Sequence, residues 1–195
     1  MTRLPAPASH RFNLSLSTLK LAAWVWGLSR GNNNAFNRVG SLDVSRADLI
    51  IASIVEREAK FDEQRAQIAG VYRNRIENNM KLESCPTVNY AYDSKQVASL
   101  TAEEAKTYDY WQNISFSLYK TTISDYNTYL NSGLPPNPIS NPGIMSIDAA
   151  VNYAKHDYLY FLHDSEGNIY LAETAAGHEN NKAKHLNWKK SCFFA

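Results

Sequence analysis

Residues 157–174 read DYLYFLHDSEGNIYLAET. An apolar, aromatic run is followed by Asp164-Ser165-Glu166-Gly167 and then by a second β-prone run, Ile169 to Ala172. Two such runs flanking a cluster of turn-forming residues predict a β-hairpin. This stretch decides the fold class, because the rest of the chain reads as helix or loop. Helices first, then a small antiparallel sheet with helices around it, is an α+β arrangement.

Working outward, Ser146 is expected to cap a helix running to about Ala154, and a closing helix is expected from Ala176 to about Trp188. Before them, residues 125–143, DYNTYLNSGLPPNPISNPG, hold four prolines and two glycines, too turn-rich for regular structure. A loop of that length in a compact domain is a candidate functional segment. Thr101 and Glu104 form a capping-box pair, which predicts a short helix over about 101–110. Residues 80–92, MKLESCPTVNYAY, are expected to be extended or irregular, with Pro86 in their middle. Residues 63–78, EQRAQIAGVYRNRIEN, place Ile68, Val71, Tyr72 and Ile76 at helical spacing, with Asn78-Asn79 as the stop. A second capping box, Ser45 to Asp48, opens a helix to about Lys60, and Phe61 or Asp62 resets the chain.

The whole chain has 195 residues, 44% hydrophobic and 20% charged, with a net charge of +1. That suits one domain over 41–190, preceded by an extension and Asn-rich linker over 1–40. Residues 14–28, LSLSTLKLAAWVWGL, are the most apolar stretch, but too short to span a membrane and interrupted by Lys20. They are expected to form a helix packing on the domain. No basic patch has the density that a nucleic-acid partner demands. Cys85 and Cys192 are too few for a disulfide framework; a bridge between them and two free thiols both stay open. The five histidines show no metal-ligand spacing, and there is no HExxH, P-loop or GxGxxG, so no metal or cofactor is expected. Twelve tyrosines and four tryptophans suit either a ring-rich core or the recognition of amphipathic ligands such as sugars.

Two carboxylates, Glu56 and Glu58, stand two residues apart at the end of the first helix. At about 100° per residue, Glu58 falls within the arc of Ile51, Ile54, Val55 and Phe61. Glu56 falls opposite, near Ala52 and Lys60, where it is expected to face water and pair with Lys60. A carboxyl on an apolar face has its pKa raised and suits a general acid. The plainer reading is a frayed helix end from which Glu58 curls into water.

Further segments, in order, are ASIVEREA, IAGVYRNRI, MKLESCPTVNYA, YNTYLNSGLPPNPISNPG, SIDAAVN and DYLYFLHDSEGNIYLAETAAGHENNK. Together, over roughly 46–186, they resemble the catalytic domain of the endolytic murein transglycosylases, the MltG or YceG-like family. The resemblance implies non-hydrolytic cleavage of the β-1,4 bond between N-acetylmuramic acid and N-acetylglucosamine inside a peptidoglycan strand, leaving a 1,6-anhydro end. It places the catalytic glutamate on the second Glu of the Glu-basic-Glu motif, Glu58, with Glu56 as fallback. One carboxylate can serve, because the nucleophile is the sugar's own 6-hydroxyl. Tyr126, Asn127, Thr128 and Tyr129 are candidates to bind sugar hydroxyls and N-acetyl groups, with Thr87, Tyr90 and Glu83 lining the same cleft. For Asn127 a turn-capping role, and for Tyr129 a core role, stays open. Arg75 reads as a structural ion-pair partner.

The resemblance also implies glycan strands as substrate, proteins of cell-wall synthesis as partners, and a place at the outer face of the cytoplasmic membrane. Family members carry an N-terminal membrane helix and a LysM-like domain, and neither is read here. A fragment of a longer anchored protein, unusual export through residues 1–30, and joint action with another chain are the readings. Some motif positions depart: Glu83 and Cys85 stand where Gln and Asp are usual, Asn137 where Gly is, and Gly167-Asn168 where Gly-His is. These departures keep two alternatives in view, a degenerate glycan-binding module and a hydrolytic muramidase with a second carboxylate such as Glu83 or Asp125.

Overall fold

The computed structural model describes residues 43–186, so the expectations for 1–40 and for Cys192 lie outside the described residues. Those described form seven α-helices and one two-stranded antiparallel sheet, the α+β arrangement expected. No described helix is long and apolar enough to cross a membrane.

Helix α1, Arg46–Glu58, starts on the capping box read in the sequence: the Asp48 amide donates to Ser45 Oγ, and the Ser45 amide to Asp48 Oδ2, at 3.2 and 2.8 Å. After a 3₁₀ turn over Asp62–Gln64, helix α2, Arg65–Glu77, packs against α1. It ends at Asn78, and Asn79 adopts φ +54. Gly70 in α2 is required by close approach: a Cβ there would lie 2.4 Å from the Ala154 carbonyl oxygen and 2.7 Å from His156 Nε2.

Helix α3, Cys85–Val97, overturns the expectation of irregular chain at 80–92. Pro86 lies in the first turn, where its missing N–H has no intrahelical partner to lose and its fixed φ suits a helix. It marks the start of a helix rather than a break. The short α4, Ala102–Lys106, carries its capping box as expected. Helix α5, Phe116–Thr121, was not anticipated; six residues hold too little periodicity to announce themselves.

The long loop over 125–143 contains no helix or strand and is tied down by α1. Buried Ser53 Oγ accepts the Ile139 amide at 3.0 Å, and the Ser53 carbonyl accepts Ser140 Oγ at 2.9 Å. Helix α6, Ile144–Val151, begins with Gly143 as its cap. The expected cap, Ser146, lies inside the helix instead, its hydroxyl turned to Glu56.

The hairpin forms as read: β1, Tyr160–His163, pairs with β2, Ile169–Ala172, with Phe161 opposite Leu171 and His163 opposite Ile169. Asp164 Oδ1 accepts the Glu166 and Asn168 amides, both at 2.9 Å, closing the turn. Gly167 there has φ +89. Helix α7, Ala175–His185, covers the hairpin. The main core joins α1 and α2 to Leu82, Ile139, Ala150 and Phe161, with Tyr72 edge-on to Phe161. A smaller cluster of Val88, Ile114 and Tyr119 sits between α3 and α5.

Candidate active site

Glu58 is the last residue of α1 and does not fray. Its Oε1 accepts two hydrogen bonds, from the Tyr72 hydroxyl and from Ser84 Oγ, each 2.9 Å long. The side chain keeps some open surface, yet protein crowds the carboxylate enough that burial pushes its pKa up. The two hydroxyl donors and the Lys60 ammonium pull the other way without overcoming it. The outward carbonyls of the α1 C-terminus also disfavour a negative charge there. Tyr72 is fully buried and its hydroxyl is held well above its ordinary pKa, first by burial and then by Glu58. It therefore stays a donor.

Ser84 shows how the surrounding residues build this site. It occupies the N-cap position of α3, where a serine ordinarily accepts a helix amide; here its hydroxyl donates to Glu58 instead. Two predicted site residues fix it. The Ser84 amide donates to Thr128 Oγ1 at 3.0 Å, Thr87 Oγ1 donates to the Ser84 carbonyl at 2.7 Å, and the Thr87 and Thr128 hydroxyls meet at 2.7 Å. Thr87 and Thr128 are almost fully buried, so they position Ser84 from within the protein. Asn127 is also sealed: its Nδ2 donates to the Tyr119 and Thr122 carbonyls and its Oδ1 accepts the Tyr129 amide. That is the turn-holding alternative left open by the sequence.

The aromatic candidates keep partial exposure. Tyr90 and Tyr126 pack with ring centres 4.8 Å apart, and Tyr126 Oη accepts Asn137 Nδ2 at 3.1 Å. Asn137 in turn accepts Arg46 through Oδ1, so the residue standing for the usual Gly braces the loop against α1. Tyr129 stacks on Tyr119 at 5.2 Å, and its hydroxyl lies 3.2 Å from Cys85 Sγ. Burial, Cys85 and the Glu58 charge all push the Tyr129 hydroxyl up, which places it within electrostatic reach of Glu58.

Glu83 has φ +50 and pairs with Arg75 Nη1 at 3.2 Å. Arg75 is buried and also donates to the carbonyls of Leu159, Lys81 and Leu82. It is a structural anchor between α2, the 81–83 segment and β1, as its ion-pair reading anticipated.

Glu56 requires a correction. Instead of facing water, it is about three-quarters covered and turns toward the start of α6. Oε2 accepts the Gly143 amide at 2.9 Å and Ser146 Oγ at 2.7 Å, with Arg65 Nη1 at 3.4 Å. A wheel assumes one covered face, but residues 50–55 of α1 are buried all round, by α2 on one side and by the loop and α6 on the other. Glu56 therefore joins α1 to the start of α6.

Tyr72 and Ser84 were missed as partners of Glu58. Tyr72 was assigned to a hydrophobic stripe and Ser84 sat in a segment read as irregular. No local spacing connects either with Glu58.

The YceG-like family model matches residues 29–184. Endolytic murein transglycosylases are similar: that of Streptococcus pneumoniae serotype 2 (strain D39) is 37% identical over 142 residues, 72% of this chain and 24% of that protein. That of Bacillus subtilis (strain 168) is 36% identical over 141 residues, 72% of this chain and 35% of that protein. The crystal structure of a yceG-like protein from Listeria monocytogenes superposes with a TM-score of 0.56 at 35% identity, over 68% of this chain and 38% of that one. The chain thus spans about a quarter to a third of the length of these two curated relatives.

Proposed function

The chain belongs to the YceG-like family, and from that membership we propose that residues 41–190 are the catalytic part of an endolytic murein transglycosylase in which Glu58 is the catalytic acid and base. The observation that carries this reading is the setting of Glu58: one oxygen held by Tyr72 and Ser84, a raised pKa, and no hydrogen bond to Oε2 among the described residues. Protonated Glu58 donates its proton to the glycosidic oxygen as the bond from that oxygen to C1 of the muramyl unit breaks. Positive charge develops at C1 and the ring oxygen. The carboxylate then takes the proton of the same sugar's 6-hydroxyl as O6 bonds to C1. The 1,6-anhydro ring closes, the shortened strand leaves, and no water is consumed. The 6-hydroxyl is already tethered to the reacting sugar, so its effective concentration exceeds that of any solvent nucleophile.

Ordinary glycosidases set a second carboxylate about 5 to 9 Å across the bond. Glu83, one of the two candidates for that role, is engaged by Arg75, and the charge that bears on Glu58 is the ammonium of Lys60. This favours the single-carboxylate route over the hydrolytic alternative. Peptidoglycan as substrate implies work in the cell envelope beside the machinery of wall synthesis.

The test is mass spectrometry of purified glycan strands after incubation with the protein. Anhydro-muramyl ends, one water lighter than reducing ends, are expected. Reducing ends would make the protein a muramidase, and uncut strands would leave a glycan-binding module.

A further inference from the structure

Arg57 lies between the two glutamates in sequence and is exposed. Its guanidinium carbon sits 4.1 Å from the centre of the Trp111 ring. Among the described residues Arg57 makes no hydrogen bond and no ion pair. Stacking on an indole restrains the guanidinium while leaving its N–H edge available to an anion.

The far half of this pair is built with care. Trp111 has φ +67, the left-handed region that a non-glycine residue adopts only where its surroundings hold it there. Its amide is held at 2.9 Å by Oδ2 of Asp93, a buried carboxylate whose Oδ1 accepts the Tyr108 hydroxyl at 2.9 Å. A buried acid thus holds the 108–111 loop in the conformation in which Trp111 lies under Arg57. On its other flank Trp111 packs on Tyr90 at 6.5 Å, and Tyr90 packs on Tyr126. The rings connect Arg57, next to Glu58 in the chain, with the Tyr126 loop.

We propose that the Arg57–Trp111 stack is a carboxylate-binding site that reads the muramyl unit beside the bond Glu58 cleaves. This rests on the glycan-cleaving function proposed above. A neutral sugar would need no unpaired guanidinium, whereas a muramyl unit carries an anion: its lactyl carboxylate when the stem peptide has been removed, or the peptide's own carboxylates when it is present. A stacked guanidinium can meet either with two parallel hydrogen bonds.

Calorimetric titration tests this, with Glu58→Gln as the non-cleaving background and three ligands: peptide-bearing glycan strands, amidase-stripped strands, and chitooligosaccharides, which have no carboxylate. Adding Arg57→Gln is expected to weaken binding about tenfold to the strands whose carboxylate is read, and to leave chitooligosaccharide binding unchanged. Arg57→Lys, which keeps charge but loses the planar fork, is expected to fall between. Loss on stripped strands alone identifies the lactyl group, and loss on peptide-bearing strands alone identifies the peptide. Equal loss on all three ligands, or none on any, overturns the inference. Should the wild-type protein still leave anhydro ends in that case, the inference alone fails. Should the wild-type protein cut no strand and the Glu58→Gln background bind none, both readings fail together.

Discussion

The Tyr72 hydroxyl lies 2.9 Å from Glu58 Oε1, joining the end of one helix to the middle of the next. Burial raises the pKa of both groups, so each tends to keep its proton, and the tyrosine acts as donor to whichever form the carboxyl takes. With Ser84 on the same oxygen, the carboxyl is restrained in rotation.

Glu58→Gln keeps an oxygen for both donors while removing the transferable proton. Its cleavage rate, read by release of anhydro ends, is expected to drop by about a hundredfold or more. The fold should tolerate it. A carboxyl whose folded pKa is raised contributes stability below its unfolded pKa of about 4.5, and loses it as pH rises through the folded value. The variant should therefore melt above the wild type at pH 8, with the gap closing towards pH 4.

Glu56→Ala should behave in the opposite way. It strips the Gly143 amide, Ser146 and Arg65 of their shared acceptor and is expected to cost about 2 kcal/mol in urea denaturation. If Glu56 is only scaffold, activity per folded molecule changes far less than in Glu58→Gln.

Tyr72→Phe and Ser84→Ala each remove one donor that favours the ionised form of Glu58. The Glu58 pKa then rises further, so the alkaline limb of the kcat/KM profile should shift to higher pH, while the plateau falls about tenfold through looser positioning. An unmoved limb in both variants would count against Glu58 as the titrating acid.

Arg75→Met would leave the Leu159, Lys81 and Leu82 carbonyls without the donor that a fully buried guanidinium supplies, and would break the ion pair to half-exposed Glu83. An equilibrium unfolding loss of about 3 kcal/mol or more is expected.

His163 and His178 are both buried, and burial lowers each pKa to about 4. Unfolded imidazoles take up protons from about pH 6.5 downward, while these two do not until near 4, so acidification through that window favours unfolding. His178 stacks on Tyr160, and its Nδ1 has no partner among the described residues. His178→Phe keeps a ring on the stack, should not reduce stability at pH 7, and should flatten the acid slope measured by urea titration between pH 4 and 7.

Much of the architecture was legible because it depends on near neighbours. The Ser45–Asp48 and Thr101–Glu104 capping boxes, the Asp164–Gly167 turn and the proline-rich loop are each made within a few residues. Pro86 is ambiguous in sequence because the same ring that breaks a helix interior is welcome in a first turn. For the site, helical phase singled out Glu58 correctly as a carboxylate on a covered face, but it sent Glu56 to water because a wheel cannot show that a helix is covered on both sides.

By itself, then, the sequence determined the hairpin and the first two helices and put Glu58 in the arc of the first helix's apolar residues, since all of these follow from chain-local geometry and hydrophobic period. Only the tertiary structure decided what holds that carboxylate. Tyr72 stands 14 residues from Glu58, Ser84 stands 26 away, and Thr128, which pins Ser84, stands 44 residues beyond it. Contacts at those separations arise when α1, α2, α3 and the loop close on one core, and no periodicity along the chain encodes them.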